Sequence, residues 1–137
     1  MIEIFDKEIR ELGIRPSECV EWIRESFLLK RRCQLPSKSS LHPKESDFIN
    51  TMPFLLPEEF HTYRCKIVSR IVGTLPALKS KIIIENTETG SFEAILDGVW
   101  ITTMRTGAVA SLAIQTLKRK NSRIYSFIGL GEKNLFS

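Results

Sequence analysis

No stretch of this 137-residue chain is apolar for long enough to cross a bilayer. The N-terminal run MIEIFDKEIRELG mixes acids with bases, where a signal peptide would place a basic patch and then an apolar stretch, so a reduced, cytoplasmic location is expected. Cysteine is scarce and unpaired. Cys19, Cys33 and Cys65 are odd in number, far apart and form no CxxC, which argues against a disulfide framework and against a zinc site. His42 and His61 are equally isolated, and no metal is expected. Twenty basic residues against sixteen acids leave a net charge of +4, but the cations are scattered rather than gathered with aromatics. Nucleic acid is therefore not an expected partner. The densest basic cluster, Lys30-Arg31-Arg32, closes a predicted helix, where positive charge suits the macrodipole.

What the chain does contain is an ordinary globular composition, 42% hydrophobic and 26% charged, at a length that suits one core. Residues 16–33 carry Val20, Ile23, Phe27 and Leu28 at helical spacing behind Pro16, which is suited to a first turn. Residues 34–59 hold four prolines among polar residues and read as loop with one short extended piece. The pattern then becomes sheet-like. YRCKIVSRIV, KSKIIIENT and SFEAILDG are strand candidates, the last two joined by a turn at NTETG with Gly90 free to take positive φ. VWITT continues in extended form, a helix is predicted from about Met104 to Lys120 with Thr102 or Thr103 as its cap, and RIYSFIGL is the last strand. The expected fold is α+β, a mainly antiparallel sheet packed with helices.

Arg105 is the residue that asks for an explanation. With that helix start it lies in the first turn, above the stripe of Val109, Leu112, Ala113, Thr116 and Leu117, where a cation opposes the dipole by about 0.3–1 kcal/mol. A bound carboxylate or phosphate would resolve the conflict, and so would an internal partner such as Asp97 or Glu93. Lys66 shares one strand face with Arg64, Val68, Arg70 and Val72, which reads by itself as a solvated basic face. Lys38, in the polar run LPSKSSLHP, reads as a surface lysine.

TMPFLLPEEF, CKIV, LDGVWITTMRTGAVAS and the closing IYSFIGLGE together resemble the ornithine cyclodeaminase and mu-crystallin family, over residues 35–131. The resemblance implies an NAD(P)-dependent protein about twice this length, with one domain for substrate and homodimer and a Rossmann domain for nucleotide. It implies chemistry on small amino, imino or keto acids, including deamination of ornithine with ring closure, and thyroid-hormone binding in mu-crystallin. Residues 1–122 correspond to the substrate and dimerisation domain. Residues 123–137 correspond to the first strand and glycine loop of the nucleotide domain, the rest of which the sequence does not contain.

By motif, Arg105 matches the arginine that grips the substrate carboxylate, and Lys66 the catalytic lysine beside the reacting centre. Lys38 stands where many members have an arginine, and Met52 would line the same pocket. Asn50 replaces a glutamate that meets the substrate amine in ornithine-acting members, so ornithine is not the expected substrate. Gly129, Gly131 and Thr106 fall on the nucleotide side, although Asn134 replaces the third glycine or alanine of the fingerprint. The expectation is a carboxylate-binding half that holds no NAD or NADP and has negligible turnover alone. The alternative is a non-catalytic carboxylate binder or dimeric structural remnant.

Overall fold

The computed structural model describes residues 1–128. Three strands read from the β-branched runs form as expected: β4 (Thr62–Arg70), β5 (Leu78–Asn86) and β6 (Phe92–Asp97), paired antiparallel in that order. Gly90 takes φ +67° in the turn between the last two, which Asn86 closes by accepting the Glu88 and Thr89 amides on its side chain. Two strands extend this sheet from the proline-rich region, β2 (Ser39–Leu41) and β3 (Phe48–Leu55). The loop expected over residues 34–59 is thus partly wrong: β3 pairs with β4 along its whole length. Pro53 suggested a break, but proline costs a strand only one donor, and β3 lies next to the short edge strand β2.

At the other edge β1 (Ile2–Ile4) runs parallel to β6, giving the order β1-β6-β5-β4-β3-β2. The fold is α+β. All three helices pack on one side of the sheet: α1 (Asp6–Glu11), α2 (Pro16–Leu29) and α3 (Val99–Leu117). Pro16 opens α2, and Cys19 and Val20 are buried, but the far end of its apolar stripe, Phe27 and Leu28, is exposed. The core is Ile9, Cys19, Val20, Trp100, Met104, Ala108 and Leu112, with Ile4 and Leu96 packed against it from the sheet. That core lies over the β1, β6 and β5 half. The β3 and β4 half of the same face is less covered.

The start of α3 differs from expectation. VWITT is helical, not extended, and the helix begins at Val99 behind Gly98. Long-range polar contacts hold it there. Asp6 Oδ1 accepts the Trp100 amide at 3.3 Å, and the Asp6 amide donates to Asp97 Oδ2 at 2.9 Å. Thr102 Oγ1 donates to the Gly98 carbonyl, while the Gly98 amide donates to the Ser80 carbonyl at 2.8 Å. Residues 123–128 also depart from expectation. They form no strand, and Tyr125 and Phe127 line a shallow cavity together with Ser111, Ile114 and Gln115 of α3. The continuation of that expected strand, with Gly129 and Gly131, lies outside the described residues.

Candidate functional site

Strand register brings several candidate residues together. Leu96, Ile82, Lys66 and Met52 stand opposite one another across β6, β5, β4 and β3. Ser39 pairs with Thr51, so Lys38, one residue before β2, falls opposite Met52 at the end of the same row. The next row contains Ser80, Val68, Asn50 and Ser40. Because Leu96 packs against the helical core, both rows lie on the helix side of the sheet. Lys38, Asn50, Met52 and Lys66, scattered over 29 positions of sequence, therefore share one face.

This face is polar in an unusual way. Asn50 Oδ1 and Ser80 Oγ are buried with no hydrogen-bond partner among the described residues, two strands apart on either side of the buried Val68. An orphaned polar atom of this kind costs about 1–3 kcal/mol unless something else satisfies it. The strands' own charges on this face are of one sign. On β2 to β5 the one acid is Glu85, which by alternation projects from the opposite side, while Arg64, Lys66 and Arg70 project from the helix side. Arg64 stacks over the Phe54 ring at 4.8 Å, and crowding around its guanidinium lowers its pKa from the ordinary value.

Arg105 is placed elsewhere. With the helix starting at Val99 it sits in the second turn, so the expected conflict with the dipole does not arise. Its candidate internal partners are engaged by others: Asp97 pairs with Lys81 at 3.0 Å, and Glu93 accepts from the Asn86 amide at 3.0 Å. Among the described residues no carboxylate pairs with the exposed Arg105. It borders an apolar cleft of about 350 Å³ between α3 and the other two helices, beside Leu12, Trp22 and Trp100. None of Lys38, Asn50, Met52 or Lys66 lines that cleft. Thr106, half-buried on α3, donates its hydroxyl to the Thr102 carbonyl at 2.6 Å.

Sequence reasoning gave Ser80 no role, and its local pattern, a small residue within a strand, contains no signal for one. Its neighbour Gly98 does carry a structural signal. A Cβ there would overlap Ser80 Oγ and stand 3.1 Å from Ser80 Cβ, so the start of α3 lies directly on this strand. Among the described residues no three metal-ligating side chains cluster, and no helix is long and apolar enough to cross a membrane. Of the nucleotide-side residues only Thr106 is described. One hydroxyl already donating within its own helix does not make a dinucleotide site.

The chain resembles known proteins along its whole length. It is 31% identical to the alanine dehydrogenase of Archaeoglobus fulgidus over 139 aligned positions, covering 97% of this chain and 42% of that protein. The solved dimer of an archaeal alanine dehydrogenase with bound NAD superposes with a TM-score of 0.88 at 30% identity, over 99% of this chain and 43% of that one. The Δ1-pyrroline-2-carboxylate reductase of Thermococcus litoralis, solved with NADH and L-proline, gives 0.86 at 27% identity, over 99% and 44%. The chain thus spans less than half the length of these relatives. The family model for ornithine cyclodeaminase/mu-crystallin proteins matches residues 6–137, and the chain belongs to that family.

Proposed function

We propose that this chain is the substrate-gripping and dimerisation half of an NAD(P)-dependent amino- or imino-acid oxidoreductase or deaminase. The observation that carries the reading is the row of Lys38, Met52 and Lys66 beside the unsatisfied oxygen of Asn50. Lys66 and Lys38 supply positive charge for the substrate carboxylate. Met52 gives an apolar wall between them, and Asn50 Oδ1 accepts from the amino or imino nitrogen. Lys66, nearest the middle of the sheet, also stabilises negative charge that develops on the reacting centre. Arg105 borders the helix cleft instead and is not among the cations of this row.

None of Lys38, Asn50, Met52 or Lys66 is assigned to the nucleotide, so acid binding by the chain is proposed to need no NAD or NADP, and turnover by it to be negligible. NAD-dependent oxidation of any amino acid by the purified chain would contradict this. Calorimetry with a panel of small amino and keto acids tests the grip. Binding should be lost in Lys66→Ala and kept in Arg105→Ala; retention in Lys66→Ala, or loss confined to Arg105→Ala, would reject the site.

The helix-free side of the sheet favours a second copy of the chain as partner. Ile49, Cys65, Ile67, Ile83 and Ile95 form a partly exposed apolar surface there, on strands with no described helix over them. An archaeal relative solved as a dimer points the same way. Sedimentation should give a dimer that Ile67→Lys disperses, whether or not the acid site is active.

A further inference from the structure

We infer that the cleft between α3 and the other two helices is a binding site for a small, uncharged, apolar molecule. It is separate from the acid site proposed on the sheet face, since none of Lys38, Asn50, Met52 or Lys66 lines it.

Protein cores are close-packed, and voids much larger than a water molecule are rare in them. This cleft, of about 350 Å³, reaches down to the core itself. Its floor is Ile9, Cys19, Trp100 and Met104, which are between 4% and 8% exposed. Its mouth is bounded by Leu12 and Trp22, which are 71% and 50% exposed. Large apolar side chains left in water around an opening that leads to a buried apolar floor are the pattern of a ligand pocket.

The lining sets the chemistry of the ligand. Arg105 is the one charged residue along it, and it stands exposed at the rim rather than on the floor. The Ser26 hydroxyl is already engaged, donating to the Trp22 carbonyl at 2.7 Å. Burial raises the pKa of the Cys19 thiol, which therefore stays neutral. The buried side-chain atoms that lack a hydrogen-bond partner among the described residues belong to Asn50 and Ser80, and neither lines the cleft. Nothing on the floor answers a charge or a hydrogen-bonding group, so a polar ligand would lose its water without return, whereas an apolar one gains by leaving water. Trp22 and Trp100, both on the lining, suit a flat ring.

A second apolar groove, of about 370 Å³, lies between the far ends of α2 and α3 but has no such floor. Phe27, Leu28 and Leu117 on it are 51%, 79% and 81% exposed, which makes it a control rather than a rival.

The uncharged dye N-phenyl-1-naphthylamine tests the inference, because it is bright only out of water and accepts energy from tryptophan. The chain's two tryptophans both line the cleft, so energy transfer to the dye should rise and saturate as for a single site. L-alanine and L-aspartate should not displace it, whether or not they bind elsewhere. In the parent chain, amide NMR shifts caused by the dye should cluster at Ile23, Ile101 and Met104. Ile23→Phe and Ile101→Phe, which fill the cleft, should each weaken binding about tenfold with unaltered circular dichroism, while Met104→Ala, which enlarges it, and Leu117→Phe, in the other groove, should keep it. No saturable transfer in the parent, shifts clustered elsewhere, undiminished binding in both filling variants, or a loss confined to Leu117→Phe would overturn the inference and leave the acid site untouched.

Discussion

Replacing Gly98 by alanine puts the link between the sheet and α3 to the test, because two effects compete there with opposite sign. Gly98 has φ −107°, a conformation any residue adopts, so alanine would by itself stabilise the protein by about 0.4–1 kcal/mol through the unfolded chain. The structure opposes this. The new Cβ would overlap Ser80 Oγ, and turning that hydroxyl away still leaves Ser80 Cβ at 3.1 Å and its carbonyl carbon at 3.3 Å, both inside ordinary contact. Overpacking of this kind costs about 1–3 kcal/mol. Set against the gain, the mid-range net loss is about 1.3 kcal/mol, and at about 4 °C per kcal/mol for a chain of this size the melting temperature should fall by about 5 °C. Ser80→Gly should cost about 0.5–1 kcal/mol alone, yet rescue much of the loss when combined, because it removes both side-chain contacts. Thermal melts of the two single variants and the double variant measure the coupling. A Gly98→Ala protein as stable as the parent, or strictly additive variants, would refute the close approach.

Other consequences of the structure are open to the same treatment. Asp47 is buried and accepts the Val72 amide at 2.9 Å on Oδ1, so Asp47→Ala should cost about 1–3 kcal/mol in urea unfolding by orphaning that amide. Asp6→Ala removes the cap on Trp100, and should lower stability by about 1 kcal/mol and speed hydrogen exchange at that amide first. Lys81, bonded to Asp97 and Glu3 at 3.0 Å each, holds the Asp97 carboxyl below its ordinary 3.8 and is itself held above 10.5. A lowered carboxyl stabilises above its unfolded value and loses that as pH falls; a raised ammonium stabilises below its own and loses that as pH rises. The melting-temperature gap between the parent and Lys81→Met should therefore be flat through neutral pH, closing below 3.8 and above 10.5. A gap unchanged at pH 2 would contradict the pairing.

What the sequence disclosed follows from how local each signal is. Strands β4, β5 and β6 announced themselves in runs such as KIIIEN, and α2 in its spacing behind Pro16, since alternation and helical period are written within a few residues. The start of α3 was not legible. VWITT has strand-forming residues, and the contacts that make it helical come from Asp6 and Ser80, far away in the chain. β1 was missed for the same reason, as three residues gain their strand from pairing with β6. Motif resemblance found Lys38, Asn50, Met52 and Lys66, but their common face appears only with the register. It is also only the register that sets Arg64 on the same face. Arg105 was singled out by its motif and by its place at a helix start; the helix begins earlier than expected, and Arg105 borders a different cleft.

The central claim, that a small acid binds on the row through Lys66, is most directly tested by backbone amide NMR of the chain titrated with L-alanine and L-aspartate. The account predicts shifts that saturate and cluster at Ser40, Asn50, Met52, Arg64, Lys66 and Val68. Shifts confined to Leu12, Trp22 and Ile101 beside the helix cleft, or no saturating shift with either acid, would contradict it.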